Sequence, residues 1–299
     1  MQQEVMRDIL RNLSELLGCR EDEIREKNFL SGGRTNTSIS FIINERKLVY
    51  RHPGTQTDRF INRKAERFAC EKARELGLDP SYIRMDADLG WKLSEFLEET
   101  RPFDFTNARD IAQGVQLLRR LHEARIAAPF PFDHLSQIRL LQGCLDARSR
   151  SRMRELESFS PTARRLDAYV KADGWPCCLI HGDPKAANFM VCGDRYYLID
   201  WEYAGVKDIG YDISHFSAEI GRARSGGPWM LEREDAASYF GGRVSEAQYR
   251  HILACFAIEE FFWSVWGLSR SAEDVVDRCW RNARAFGAKA LSLYENAPK

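Results

Sequence analysis

The sequence lacks an excess of charge of one sign and lacks paired or metal-spaced cysteines. Its 44 lysines and arginines are balanced by 44 aspartates and glutamates, so no excess of charge predicts a nucleic acid or an anionic membrane as partner. The eight cysteines form no C-x-x-C pair and have no zinc-like spacing with histidine, and we expect reduced, non-catalytic thiols. With 44% apolar residues among 299, the chain has the composition of an ordinary globular protein.

Long apolar runs are also missing. The N-terminus, MQQEVMRDILRNLSELLG, alternates polar and apolar residues at helical spacing and lacks the uninterrupted apolar core of a signal peptide. The longest apolar stretch, 252–268, is interrupted by Glu259 and Glu260 and is short for a membrane span. We therefore expect no membrane insertion and a cytoplasmic location.

The chain divides into a β-rich first third and a mainly helical remainder. Residues 37–43 and 47–50 are rich in β-formers and are separated by a polar turn. This predicts an α+β protein with a small antiparallel β-rich lobe (1–98), a connector at 98–106 and a larger helical lobe (99–299). Further predicted elements are a helix at 58–76, strands at 82–85 and 91–96, helices at 107–124, 133–156, 161–173, 208–224 and 245–296, and a strand-rich segment at 178–203.

The strand-rich segment carries the residues with the clearest chemistry. HGDPKAAN places Asp183 five residues before Asn188, and Asp200 follows after a short hairpin. Phosphoryl transfer needs a carboxylate to accept the proton of the attacking hydroxyl, and oxygen ligands for magnesium. Asp183 and Asn188 offer a base and a metal ligand from one loop, and Asp200 offers a second metal ligand. The alternative is an aspartate-rich loop that only stabilises a turn.

This order resembles the H-x-D-x-x-x-x-N catalytic loop and downstream metal aspartate of the protein-kinase-like superfamily. The choline/ethanolamine kinase and aminoglycoside phosphotransferase branch is the most similar. IDWEYAG at 199–205, followed by YDI at 211–213, is similar to the choline kinase pattern, and aminoglycoside phosphotransferases normally lack its Glu-Tyr pair. The resemblance covers about 28–270.

The resemblance implies a two-lobed, protein-kinase-like fold with ATP and Mg²⁺ as cofactors. It implies that Asp183 is the base, that Asn188 and Asp200 bind magnesium, and that Lys185 lies near the transferred phosphate. His181 is expected to orient the loop. Pro184 and the Ala186-Ala187 pair depart from the usual residues, which weakens any assignment to one subfamily but leaves the chemistry intact.

A glycine-rich turn precedes the first predicted strand. Such a turn lets backbone N–H groups approach phosphates, and this one resembles the G-G-x-T-N nucleotide loop of bacterial choline kinases. Arg51 and Glu66 stand where that family places an ATP-binding cation and its acidic partner; the alternative is two solvated surface charges. Backbone groups of 95–97 would bind adenine. The predicted ATP-binding residues are thus Ser31, Gly32, Gly33, Thr35, Asn36, Arg51, Glu66, Glu95 and Leu97.

Candidate acceptor-binding residues lie near the C-terminus. Glu259, Trp263 and Trp266 share one face of a predicted helix, and two indoles with a carboxylate suit a quaternary ammonium. The alternative is a core helix. The stretch resembles the W-x-x-W helix that lines the choline pocket of choline kinases. Tyr203 and Glu219 match further positions that choline kinases place at the choline pocket. Glu202, which directly follows the metal-binding aspartate, is a further candidate acceptor-binding residue. No pattern predicts a role for His215.

The function predicted from these observations is ATP-dependent phosphorylation of a small amino alcohol, most simply choline. Ethanolamine, thiamine and aminoglycosides are alternative acceptors for the same fold. A nucleotide-binding, pseudokinase-like module is an alternative of another class. The usual sign of such a module is loss of the base or of a metal ligand, and all three residues are present here.

Overall fold

A five-stranded antiparallel sheet forms the first part of the structure, a computed structural model that describes residues 2–30, 36–55, 57–226 and 229–297. The strands lie in the order β1-β2-β3-β5-β4. Each central strand alternates inward and outward side chains, so one face can be buried. The bounds are β1 Arg25–Leu30, β2 Thr37–Ile43, β3 Arg46–His52, β4 Tyr82–Met85 and β5 Lys92–Glu95.

Two helices pack against this sheet. Helix α1 (Gln2–Leu17) buries Ile9 and Leu13 in a core shared with strands β2, β3 and β5. Helix α2 (Arg63–Glu75) begins where the Asn62 side chain accepts a hydrogen bond from the Ala65 N–H at 3.1 Å, which satisfies one of the free donors of the first turn. The predicted helix at 58–76 therefore starts later than expected, after a short 3₁₀ turn at Thr57–Arg59.

The second part of the chain is mainly helical and is built around one apolar helix. Helix α9 (Glu246–Ser269) packs against five others. It is long and apolar enough to cross a membrane by composition, but 89% of its most apolar window is buried within the fold, as in the core helix of a globular protein. The other helices are α3 Ala108–Glu123, α4 His134–Gly143, α5 Ala147–Leu156, α6 Ser160–Asp173, α7 Gly210–Ser225, α8 Arg233–Phe240 and α10 Glu273–Glu295.

Two small antiparallel sheets interrupt the helices. Strand β7 (Cys177–Ile180) pairs with β10 (Gly205–Asp208), and β6 (Thr100–Pro102) pairs with β8 (Phe189–Cys192), which in turn pairs with β9 (Arg195–Leu198). The loops that leave β7 and β9 carry the candidate catalytic residues. Strand β6 lies within the predicted connector at 98–106.

Two long predicted helices are each divided. The helix expected at 133–156 is broken between α4 and α5, where the Asp146 side chain accepts from the Ser149 N–H at 2.7 Å and starts a new helix. The helix expected at 245–296 is broken at 270–272, where Ser271 has a φ of 54°. The α+β class is confirmed, and the boundary at residue 98 stays a prediction.

Candidate active site

The loop between β7 and β8 brings three candidate residues into contact. The Lys185 ammonium donates to Asp183 Oδ2 at 2.5 Å, and the Asn188 amide nitrogen lies 3.2 Å from the same oxygen. Asn188 also donates to the Asp183 carbonyl oxygen at 2.8 Å. Because the amide nitrogen makes both bonds, the amide oxygen is the atom that Asn188 can offer to a metal.

Asp212 at the start of α7 fixes the entrance to this loop. Its carboxylate accepts hydrogen bonds from the backbone N–H groups of His181 and Gly182 at 2.9 and 2.7 Å. Burial alone would raise the pKa of Asp212, but the His122 ring at 3.0 Å and these donors lower it to about 2. A charged, fully buried carboxylate thus holds the loop. In the sequence, only the YDI pattern at 211–213, which resembles that of choline kinases, pointed to Asp212.

The same loop turns sharply at Gly182. Its φ is +84°, and a side chain there would collide with the Tyr203 carbonyl oxygen, so only glycine fits without strain. His181 then links the loop to the neighbouring strand end, since its Nε2–H donates to the Ile199 carbonyl at 2.9 Å while Nδ1 accepts from the Asp183 N–H at 3.2 Å. With one nitrogen donating and the other accepting, the ring is neutral, and burial lowers its pKa.

Asp200 follows strand β9 and lies beside the loop. The Ile199 N–H donates to the Asn188 carbonyl oxygen at 2.9 Å, which places the next residue next to Asn188. The Asp200 backbone is left-handed, with a φ of +67°, a conformation that L-residues adopt at some cost and often at functional sites. Its side chain is 38% exposed. Together, Asn188 and Asp200 supply the oxygen donors that Mg²⁺ prefers.

A buried network of charges joins the first sheet to this site. Arg51 on β3 and Glu66 on α2 form an ion pair, and Arg63 donates to the other Glu66 oxygen at 2.6 Å. Arg63 also bonds Asn36 at 3.1 Å, and Asn36 donates to Glu202 at 2.8 Å. Burial would raise the pKa of Glu66, but Arg51 lowers it to about 2. Burial, and then Asp200, raise the pKa of Glu202 to about 7.

Six further residues were predicted to bind the nucleotide. Ser31, Gly32, Gly33 and Thr35 lie outside the described residues. The Glu95 N–H donates to the Ser81 carbonyl at 2.8 Å, and its carboxylate pairs with Arg46. The Glu95 N–H is therefore already occupied, and any adenine contact through a backbone N–H at this junction has to come from its neighbours, such as Leu97.

An aromatic cluster with one carboxylate forms the candidate acceptor pocket. The Trp263 ring lies 4.9 Å from Tyr203 and 5.6 Å from Trp266, measured between ring centroids. The Trp263 indole N–H donates to Glu259 Oε1 at 3.2 Å. Tyr203 and Trp266 are buried in the main core, whereas Trp263 is only partly buried. The alternative that these rings only form core therefore applies to Tyr203 and Trp266. Of the three rings, Trp263 is the one that a ligand can reach.

Glu219 and His215 lie on the same helix, α7. Glu219 forms an ion pair with Arg222, which offsets part of its charge. The His215 Nδ1–H donates to Glu259 Oε1 at 2.8 Å, and Nε2 lies 3.7 Å from Asp183 Oδ1. No pattern in the sequence pointed to His215, because its partners come from a distant loop and from another helix.

Known proteins resemble this chain in both sequence and fold. The model of the phosphotransferase enzyme family matches residues 28–249. Protein LicA of Haemophilus influenzae is 27% identical over 209 residues, which are 67% of this chain and 60% of that protein. This chain thus spans less than two thirds of that relative's length.

Two solved structures share the fold along nearly the whole chain. The choline kinase LicA of Streptococcus pneumoniae has a TM-score of 0.77 at 18% identity, covering 96% of this chain and 99% of that one. A choline/ethanolamine kinase family protein of Mesorhizobium loti has a TM-score of 0.67 at 24% identity, covering 100% and 96%. The predicted kinase-like fold is confirmed. Because the family model matches well over half of the 299 residues, the chain belongs to the phosphotransferase enzyme family.

Proposed function

We propose that this protein is an ATP- and magnesium-dependent kinase that phosphorylates the hydroxyl group of choline. One observation carries the proposal: Asp183 contacts Asn188, which lies next to Asp200, and is also linked through His215 to the carboxylate of the aromatic cluster. A carboxylate base beside candidate metal ligands and linked to an aromatic, acidic cluster suits phosphoryl transfer to a charged alcohol. The similarity to a choline kinase of Streptococcus pneumoniae supports this.

In this proposal Asp183 accepts the proton of the acceptor hydroxyl. Lys185 now pairs with Asp183 Oδ2, and a bound γ-phosphate would draw the ammonium toward itself and free that oxygen. Asn188 and Asp200 would hold Mg²⁺. When bound, this ion would neutralise part of the negative charge of the phosphates. Asp183 is 2% exposed, so a bound alcohol would meet the base with little competing water.

On the nucleotide side, Arg51 would bind the phosphates of ATP. Its guanidinium is held by Glu66 and lies 3.8 Å from Asp200 Oδ1, so it faces the metal side of the site. The glycine-rich turn at 31–36 would cover the phosphates with backbone N–H groups, and Leu97 at the junction would contact adenine. Glu202 would act indirectly, by holding Asn36 and thereby the end of that turn.

We propose choline rather than the alternatives because aromatic rings dominate the candidate acceptor pocket. A trimethylammonium group cannot donate N–H hydrogen bonds, and indole faces attract it by cation–π interaction. Trp263, which is only partly buried, would provide the ring face, with Tyr203 and Trp266 packed behind it. Glu259 would provide a carboxylate, with Glu219 farther along α7. Ethanolamine, which needs hydrogen-bond acceptors for its ammonium, is the nearest alternative.

We also propose that the enzyme works in the cytoplasm on a small-molecule alcohol, without a nucleic-acid partner. The balanced charge and the burial of α9 support this. A nucleotide-binding module without activity is disfavoured because the base and both metal ligands are present and the structure brings them together.

The test is acceptor-dependent ADP release by the purified protein with ATP and Mg²⁺. Choline, ethanolamine, thiamine and an aminoglycoside are compared at equal concentrations, with Asp183→Asn as the inactive control. We expect choline to give the highest kcat/KM. A protein that binds ATP but releases no ADP with any of these alcohols would contradict the proposed function.

A further inference from the structure

His215 connects two parts of the site that no backbone element joins. It lies on α7, Asp183 lies on the loop after β7, and Glu259 lies on α9. Its Nδ1–H donates to Glu259 Oε1 at 2.8 Å, and its Nε2 lies 3.7 Å from Asp183 Oδ1. We propose that His215 is a positioning residue that links the base Asp183 to Glu259 of the acceptor pocket. This rests on the proposed function, in which Asp183 is the base.

Burial makes this arrangement electrostatically demanding. Asp183, Glu259 and His215 are 2%, 1% and 7% exposed, and two carboxylates this poorly hydrated repel each other unless a cation lies between them. The His215 ring occupies that position. A neutral ring would still satisfy Glu259 but would leave the charge of Asp183 unbalanced on that side.

The surrounding charges favour an imidazolium. Burial alone would lower the pKa of His215, but Glu259 first, then Asp183 and Glu219, raise it to about 9. Lys207 is the other buried cation that interacts with both Glu259 and Asp183. Burial lowers the pKa of Lys207 to about 8, and the Lys185 ammonium pairs with Oδ2 of Asp183. Lys207, Lys185 and His215 together therefore offset the charge of the two carboxylates.

The link has a consequence for acceptor binding. Glu259 Oε1 is occupied by His215 and by the Trp263 indole N–H, while Oε2 is buried and has no hydrogen-bond partner among the described residues. An acceptor cation in the pocket would face that unpaired oxygen. Its charge would weaken the hold of Glu259 on His215 and leave the imidazolium more strongly attracted to Asp183, which keeps the base ionised when the acceptor is bound.

A matched pair of histidines tests this role. His251 on α9 is also buried and also bonds two carboxylates, Asp173 at 2.8 Å and Asp208 at 3.1 Å, but among the described residues it has no hydrogen bond to the proposed site. In His215→Asn the amide can still donate a hydrogen bond to Glu259, but it carries no positive charge and is too short to approach Asp183. His251→Asn is the control variant.

The kinetic experiment measures kcat, KM and the pH profile of both variants with the acceptor that the wild type uses best. We expect His215→Asn to lower kcat by about ten- to a hundredfold, with the KM for ATP unchanged and the pH profile altered. His251→Asn should keep kcat and lose only thermal stability. Equal effects of the two substitutions on kcat would overturn the proposal.

A second measurement does not depend on turnover. The His215 ring nitrogens are followed by ¹⁵N NMR in the wild type, Glu259→Gln and Asp183→Asn, with His215→Asn to assign the signal. We expect an imidazolium at pH 7 that titrates near pH 9 and at lower pH in either variant. A neutral ring at pH 7 would overturn the link, whereas absence of acceptor phosphorylation with an imidazolium present would contradict only the proposed function.

Discussion

Arg51 and Glu66 form an ion pair in which the two side chains are 6% and 0% exposed. Glu66 is also the partner of Arg63, so its carboxylate pairs with two buried guanidinium groups. Removal of one partner from a buried pair costs about 3–5 kcal/mol, because the other charge is left uncompensated. The two partners are therefore not equivalent.

The first prediction uses this asymmetry. We expect Glu66→Ala to reduce the free energy of unfolding more than Arg51→Ala, because Arg63 still pairs with Glu66 when Arg51 is absent. Both variants should raise the KM for ATP. The double variant should lose less unfolding free energy than the sum of the losses in the two single variants. Urea unfolding and ATP kinetics measure these effects. Additive losses would show that the two charges act independently.

The second prediction concerns the base. Asp183→Asn should lower kcat by at least about a hundredfold, because the amide cannot accept the hydroxyl proton, while calorimetry should show nearly unchanged binding of Mg-ATP. Lys185→Ala is the companion variant and should lower kcat without removing the base. Turnover of Asp183→Asn near that of the wild type would show that another group takes the proton.

The third prediction concerns the metal. Asp200→Ala should abolish activity at every magnesium concentration, and Asn188→Ala should shift the magnesium dependence to higher concentrations, since each removes one oxygen donor. Magnesium titrations of activity and of nucleotide binding measure this. Unchanged binding and catalysis in Asp200→Ala would contradict the assignment of Asp200 as a ligand, and an unchanged magnesium dependence in Asn188→Ala would contradict that of Asn188.

The fourth prediction concerns pH. The pKa of His215 in the folded protein is about 9, above the ordinary value of 6.5, so the folded state binds more protons between these values. The stabilisation that His215 provides is complete below pH 6.5 and is lost as the pH rises through 9. The difference in unfolding free energy between the wild type and His215→Asn should therefore fall by up to about 3 kcal/mol across this range. A difference independent of pH would contradict a charged His215.

The sequence predicted correctly those strands and helices whose buried side chains form a recognisable hydrophobic pattern. The observed bounds of β2 and β4 match the prediction, because β-branched and aromatic residues are frequent at the buried positions, as with Ile39 and Phe41 in β2 and Tyr82 in β4. Strand β1 was missed, since all six of its side chains are exposed and its sequence shows no buried face, although its backbone pairs with β2. The break after α9 was missed as well, because no glycine or proline marks it and Ser271 makes the turn instead.

The same distinction applies to the site. Asp183, Lys185 and Asn188 lie within six residues, so their contacts follow from one loop and could be predicted from spacing. His215 and Arg63 make their contacts across elements far apart in sequence. Spacing carries no information about such contacts, and only the fold revealed them.

The last prediction concerns the acceptor pocket, where two tryptophans on one helix have different environments. Trp266 is 6% exposed and belongs to the main core, whereas Trp263 packs against that core and is only partly buried. Truncation of a buried tryptophan to alanine costs about 3–5 kcal/mol. We therefore expect Trp266→Ala to lower stability strongly, and Trp263→Ala to act mainly on the acceptor.

Trp263→Leu separates packing from recognition, because leucine keeps apolar bulk but has no ring face. A desolvated cation–π contact is worth about 2 kcal/mol, so its loss should raise the KM for choline by about thirtyfold and leave the KM for ATP unchanged. The uncharged isostere 3,3-dimethyl-1-butanol is the control substrate, and the wild type should use it far less well than choline. If both alcohols are phosphorylated equally well, the pocket recognises shape and not charge, and the assignment of choline fails while phosphoryl transfer by Asp183 stands.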